Sequence, residues 1–245
     1  GEDGNLQLCR AEEQGNHAAR TWNNGAPRPV PTCMQLDMFS DVVCPWCYLG
    51  HARIRKAIER LGPDGADISI RWRAFQLDPA ATADPRDLAT AIDRKYGPGA
   101  FEVMTERLGA LGAEAGIDFR FDRALRVGTV DAHRLIQWTQ ATQPGATGAV
   151  ATRLFRAYFT EGANIAEHSQ LVALAAEVGL EPDLVGEMLA SGSFAEQVRA
   201  DQVEAASMGV GGVPAVTFNG AVVIPGAQDV DTMELVLRRL LTKVG

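Results

Sequence analysis

The chain is short of positive charge. Its 23 Lys and Arg stand against 31 Asp and Glu, a formal net charge of -8 at pH 7. No basic block gathers the cations, which argues against phosphate backbone and anionic lipid surfaces as partners, since both bind clustered Lys and Arg. No apolar run approaches the ~18 residues that a membrane-spanning helix needs. The polar opening GEDGNLQLCRAEEQGNHAAR lacks the basic segment, apolar run and cleavage site of a secretory signal. The expectation is a cytoplasmic protein. Cysteine is scarce too, and 4 in this length exclude a disulfide-stapled scaffold. What is present, 46% hydrophobic and 22% charged residues over 245 positions, is ordinary for a globular chain with one large core.

Residues 1–33 show no apolar period and end in APRPVPTC, where Pro27, Pro29 and Pro31 alternate. They read as a flexible extension with an extended path, and Cys9 and Cys33 within it are assigned no role. From Met34 the pattern changes. MQLDMFSD alternates Met34, Leu36 and Met38 and predicts a strand stopping near Asp41. Ile54, Ala57, Ile58 and Leu61 then recur at helical spacing up to Gly62-Pro63, and Ile68, Ile70, Trp72 and Ala74 alternate in a second strand. Strand, helix and strand make a βαβ unit. Residues 85–208 read as helical, with no convincing strand. GVGGVPAVTFNGAVVIPG follows, and its Asn219-Gly220 between two apolar runs predicts a hairpin. A last helix is expected from Asp231, capped with Glu234.

The predicted fold class is therefore α/β: βαβ, a large all-helical insertion, then ββα. Residues 34–84 and 209–245 form one domain, and 85–208 the inserted one.

The chemistry centres on Cys44-Pro45-Trp46-Cys47, directly after the first strand and at the start of the first helix. A dithiol is a redox centre when one sulfur is a thiolate and the other is placed to attack it. Two intervening residues at a helix start supply this. Cys44 meets unpaired backbone N–H groups and the positive end of the helix dipole, and Cys47 lies one turn further in. Pro45 suits the first helical position, which needs no N–H donor. Trp46 divides between packing and substrate contact. The pattern points to thiol–disulfide exchange, with Cys44 and Cys47 as the catalytic pair. A zinc site needs four ligands and no second close pair of cysteines exists, so no metal is expected. A pair of merely buried thiols is the remaining alternative.

FSDVVCPWCYLG, GVGGVPAVTFNG, DAHRL at 131–135, LFRAYFTEGANI at 154–165 and PGAQ at 225–228 together resemble the DsbA-like thioredoxin-fold oxidoreductases, most closely the FrnE-type branch. The resemblance covers about 34–241. It implies a thioredoxin-like sheet, a helical lid, and a cis proline opposite the thiols, which by position is Pro214. Val213 beside it would then pair its backbone with an extended substrate. Pro45, Trp46, Val213, Pro214 and His133 are the implied substrate contacts. Gly128, where an Asn often stands, and Ile224-Pro225 depart from the pattern. No cofactor is implied beyond the Cys44–Cys47 disulfide itself, with glutathione as a thiol partner. The expected partners are thiol- or disulfide-containing proteins, peptides or small molecules, and a homodimer is left open. Two other readings stand beside this one: a kappa-class glutathione transferase or hydroxychromene-carboxylate isomerase-like enzyme, and a non-catalytic peptide-binding module.

Overall fold

The structure is a computed structural model that describes residues 34–244; the predicted extension and its Cys9 and Cys33 lie outside them. Strand β1 (Met34–Ser40) is followed by helix α1 (Pro45–Arg60), a 3₁₀ stretch (Gly62–Asp67) and β2 (Ile68–Ala74). β1 and β2 pair in parallel from Met34↔Ile68 to Ser40↔Ala74. After the helical segment the chain returns as β5 (Ala215–Phe218), antiparallel to β1, and β6 (Ala221–Pro225), which gives the sheet order β2-β1-β5-β6. Asn219 and Gly220 both take positive φ, the conformation that a tight hairpin turn demands and that these two residue types tolerate best.

Alternation in β1 puts Met34, Leu36 and Met38 on one face, in a single buried cluster with Ile54 and Ala57 of α1 and with Met233, Leu237 and Leu240 of the last helix, α9 (Val230–Val244). The other face holds Phe39, which packs with Ala205 and Val210. Asp229 caps α9, accepting from the Thr232 N–H at 2.8 Å. Glu234, the expected capping partner, pairs with Arg238 at 2.9 Å instead, because the helix begins at Val230 and leaves Glu234 two residues too far in.

Between the halves run α2 (Leu88–Tyr96), α3 (Ala100–Glu114), α4 (Val130–Thr142), α5 (Thr147–Arg156), α6 (His168–Glu177), α7 (Pro182–Ser191) and α8 (Ala195–Ser207). The reading of this segment as free of strands needs one correction: β3 (Arg86–Asp87) and β4 (Leu125–Arg126) form a two-residue antiparallel ladder. Two residues are too short to show a period of two. α5 continues into one π-helical turn, Ala157–Glu161, which carries Tyr158 and Phe159 inward. These rings join the segment to α1, where Tyr48 stacks on Phe155 (5.0 Å between centroids, 3° between planes) and meets the edge of Phe119 at 5.9 Å. Offset-stacked and edge-on pairs add about 0.5–1.5 kcal/mol each beyond their burial. The helix that begins with the dithiol is thereby fixed against both the sheet and the helical segment.

Candidate active site

β1 ends in a turn in which the Cys44 N–H donates to the Asp41 carbonyl at 3.0 Å, and the Cys44 carbonyl accepts from Cys47 and Tyr48. Cys44 thus occupies the cap position of α1, with Pro45 as the first helical residue. The cap side chain makes no hydrogen bond to the helix start. The Cys44 sulfur instead lies 3.7 Å from the Val213 carbonyl, which comes from the other half of the chain. The Val213–Pro214 bond is cis. Pro214 is buried against α1, so close that a Cβ on Gly50 would come within 2.9 Å of its ring. Pro45, Trp46 and Val213 are half-buried around the sulfurs.

Both cysteines are free thiols, 3% and 0% exposed for Cys44 and Cys47. Burial pushes the Cys47 thiol well above its usual range, and Cys44 adds to this through a hydrogen bond and like charge. The Asp41 N–H and the Ser40 hydroxyl pull weakly the other way, although the Ser40 oxygen has no partner within ordinary hydrogen-bond limits. The physical result is an asymmetric pair, in which burial disfavours the thiolate at Cys47.

Asp41 is fully buried. One carboxylate oxygen accepts from the Leu77 N–H at 2.8 Å, and the other faces His133 Nε2 at 3.2 Å. His133 Nε2 also faces the Phe75 carbonyl at 3.1 Å, and two acceptors on one nitrogen mean that it carries the proton. This corrects the assignment of His133 to the substrate surface: α4 buries that ring, 3% exposed, where it ties the thiol turn to the segment after β2. His51, on α1, is equally internal, between Trp72 and Phe155. Gly128, the position that departs from the family pattern, has its N–H on the Thr82 carbonyl at 2.8 Å. A Cβ there would lie 3.0 Å from the Ala81 carbonyl, so the backbone fills the space a side chain would need.

The fold brings Cys44, Cys47, Pro45, Trp46, Val213 and Pro214 together and leaves His133 behind them. Sequence reasoning read one feature of the site too simply and passed over another. Asp41, beside the thiols, reads from sequence as a strand-end turn residue that could tune them, but its burial was not visible. Arg107, whose guanidinium lies over the Trp46 ring at 5.5 Å, carried no signal at all. Among the described residues no three His, Cys, Asp or Glu side chains converge as metal ligands, and no helix is long and apolar enough to cross a membrane.

A dithiol at the start of the helix after the first strand, facing a cis-proline turn on a β2-β1-β5-β6 sheet, defines a thioredoxin-like protein with a helical segment between its halves. Residues 35–238 match the DSBA-like thioredoxin domain, and the chain belongs to that family. It is 30% identical to a probable DsbA oxidoreductase from Streptomyces coelicolor, whose crystal structure superposes with a TM-score of 0.76 over 86% of this chain and 89% of that one. It is 26% identical over 203 residues to the uncharacterized protein YwbO of Bacillus subtilis (strain 168), spanning 82% of this chain and 94% of that protein. The cytosolic disulfide reductase DsbM from Pseudomonas aeruginosa with GSH shares the fold at 21% identity, with a TM-score of 0.62 over 85% of this chain and 100% of that one.

Proposed function

We propose that this protein is a thiol–disulfide oxidoreductase in which Cys44 is the exchanging nucleophile and Cys47 the resolving thiol. The observation that supports this most directly is the asymmetry of the pair: Cys47 is held protonated by burial, while Cys44 stands at the helix start facing the Val213 carbonyl. Membership of a family of such oxidoreductases agrees with it. In the reducing direction the Cys44 thiolate attacks a substrate disulfide, forming a mixed disulfide and releasing one substrate thiolate. Cys47 then attacks the Cys44 sulfur, the second substrate thiolate leaves, and the Cys47 proton passes to the departing sulfur. Two electrons move from the protein to the substrate. In the oxidising direction the same bonds form and break in reverse. The Val213 backbone, just before β5 and beside the Cys44 sulfur, is suited to align an extended substrate segment. Substrates are proteins, peptides or small thiols.

The test equilibrates the protein in graded glutathione buffers, traps thiols by alkylation and reads the Cys44–Cys47 state by mass spectrometry. A single two-electron transition is expected, lost in Cys47→Ala, which should instead accumulate a mixed disulfide on Cys44; Cys44→Ser should abolish exchange. If no intramolecular disulfide forms at any poise, the proposal fails. Activity that survives Cys47→Ala and requires glutathione throughout would point to transferase-type chemistry.

A further inference from the structure

Arg107 is the cation that the fold places over the residue between the two thiols. Several arginines are taken up by carboxylates, Arg71 by Asp37, Arg73 by Asp201, Arg126 by Asp78, Arg134 by Asp131 and Arg153 by Glu177, and Arg53 donates to the Ala227 carbonyl. Arg156 and Glu161, the two charges that bear on Tyr48 next to Cys47, are paired with each other at 3.2 Å. Arg107 makes no ion pair with any described residue. Its neighbours at three and four positions along α3 are Val103, Met104, Ala110 and Leu111, so its own helix offers no acid within one turn on that face. It is exposed, and its guanidinium sits over the ring of Trp46, the residue between the two thiols, at 5.5 Å from the centroid. A guanidinium over an aromatic face keeps its in-plane N–H donors for another partner, and their fork geometry matches a carboxylate.

Resting on the exchange function proposed above, we infer that Arg107 is a specificity residue that selects disulfides bearing a carboxylate close to the reacting sulfur. Its charge lies over the ring of the residue between the two thiols. Substrates of this class include low-molecular-weight acidic disulfides such as glutathione disulfide and disulfide segments flanked by Asp or Glu; the shared element is the carboxylate. With glutathione disulfide, Cys44 displaces one glutathione thiolate and Cys47 displaces the second. The protein ends as the disulfide and two glutathiones are released, with the proton from Cys47 on one of them.

The experiment is a single-turnover oxidation of pre-reduced protein, followed by Trp fluorescence. It uses glutathione disulfide and its diethyl ester, which differ in the two glycine carboxylates, and a matched pair of peptide disulfides with Glu or Gln beside the cysteine. Wild type should react about fivefold faster with the acidic member of each pair at low salt, the scale of one exposed charge pair, and the preference should shrink as salt screens it. Arg107→Ala should reduce the preference to within about twofold, chiefly through a slower reaction with the acidic member of each pair, and Arg107→Lys should retain part of it. A preference in the glutathione pair alone assigns the site to small disulfides, and in the peptide pair alone to acidic segments; either outcome supports the inference. Equal rates in both pairs for wild type, or a preference that Arg107→Ala leaves intact, would overturn it while leaving the exchange function standing. Failure of wild type to react with any of the disulfides would overturn that function and this inference together.

Discussion

At His51 a titratable ring is held in an apolar place. The Thr152 hydroxyl donates to the Gly148 carbonyl at 2.8 Å, so at 2.9 Å it accepts from His51 Nε2 and leaves Nδ1 as a bare, buried lone pair without a partner. Burial first, and then the charge of Arg55, lower this ring to about 3. In the unfolded chain it titrates near ~6.5. Between those values the unfolded chain binds a proton that the folded one refuses, so stability falls as pH is lowered through the window and is fully present above it. Near pH 4 this group alone should cost about 3 kcal/mol relative to pH 7. Urea denaturation at the two pH values checks this: His51→Gln, which keeps a donor for Thr152 but does not titrate, should lose about 3 kcal/mol less than wild type. Equal losses would mean that His51 takes up its proton inside the fold. Asp41 shows the complementary case of a buried acid supplied with two donors, one from the backbone after β2 and one from α4.

Helix α1 has to present Cys44 at its start and also lie flush against the Pro214 turn. Gly50 is where the two meet, because a Cβ there would approach the Pro214 ring to 2.9 Å and the Ala227 Cβ to 3.5 Å. A proline ring cannot swing aside as a long side chain does. Gly50→Ala gains about 1 kcal/mol of helix propensity and incurs an overpacking cost of about 1–3 kcal/mol, so a net loss of about 1 kcal/mol is expected in thermal denaturation. The more telling readout is exchange rate: separating α1 from the turn moves Cys44 from Val213, and the rate should drop severalfold. A variant that is more stable and equally fast would show that the turn simply gives way.

Across the whole molecule, α8 is attached to the sheet by charge as well as by the Phe39 cluster. Asp201 holds Arg73 at 2.5 Å and also accepts from the Ala74 N–H and Gln137, each at 2.7 Å, while Glu204 takes the other end of the same guanidinium. Arg73 in turn lies over the Phe39 ring at 5.5 Å. Removing one member of a buried pair strands the other, at a cost of about 3–5 kcal/mol, whereas replacing both with apolar residues is often near neutral. Asp201→Ala should therefore lower stability to urea by about 3 kcal/mol, and Arg73→Met combined with Asp201→Leu should cost clearly less than Asp201→Ala alone. A double variant as weak as the single one would mean that the pair is stabilising beyond its own desolvation.

Local order along the chain was enough for β1, α1, β2 and the β5–β6 hairpin, because alternation, helical spacing and the Asn219-Gly220 pair act between near neighbours in sequence. The same holds for the dithiol at a helix start, where strand, CxxC and helix follow one another directly. The rest of the site is made of pairs that sequence distance hides. Cys44 meets the Val213 carbonyl across 169 positions and His133 meets Asp41 across 92, and neither residue carries a local mark of its partner. Which histidine lies inside, which arginine covers Trp46 and how tightly Pro214 sits on Gly50 were decided only when the packed helices and the sheet fixed the shape of the space between them.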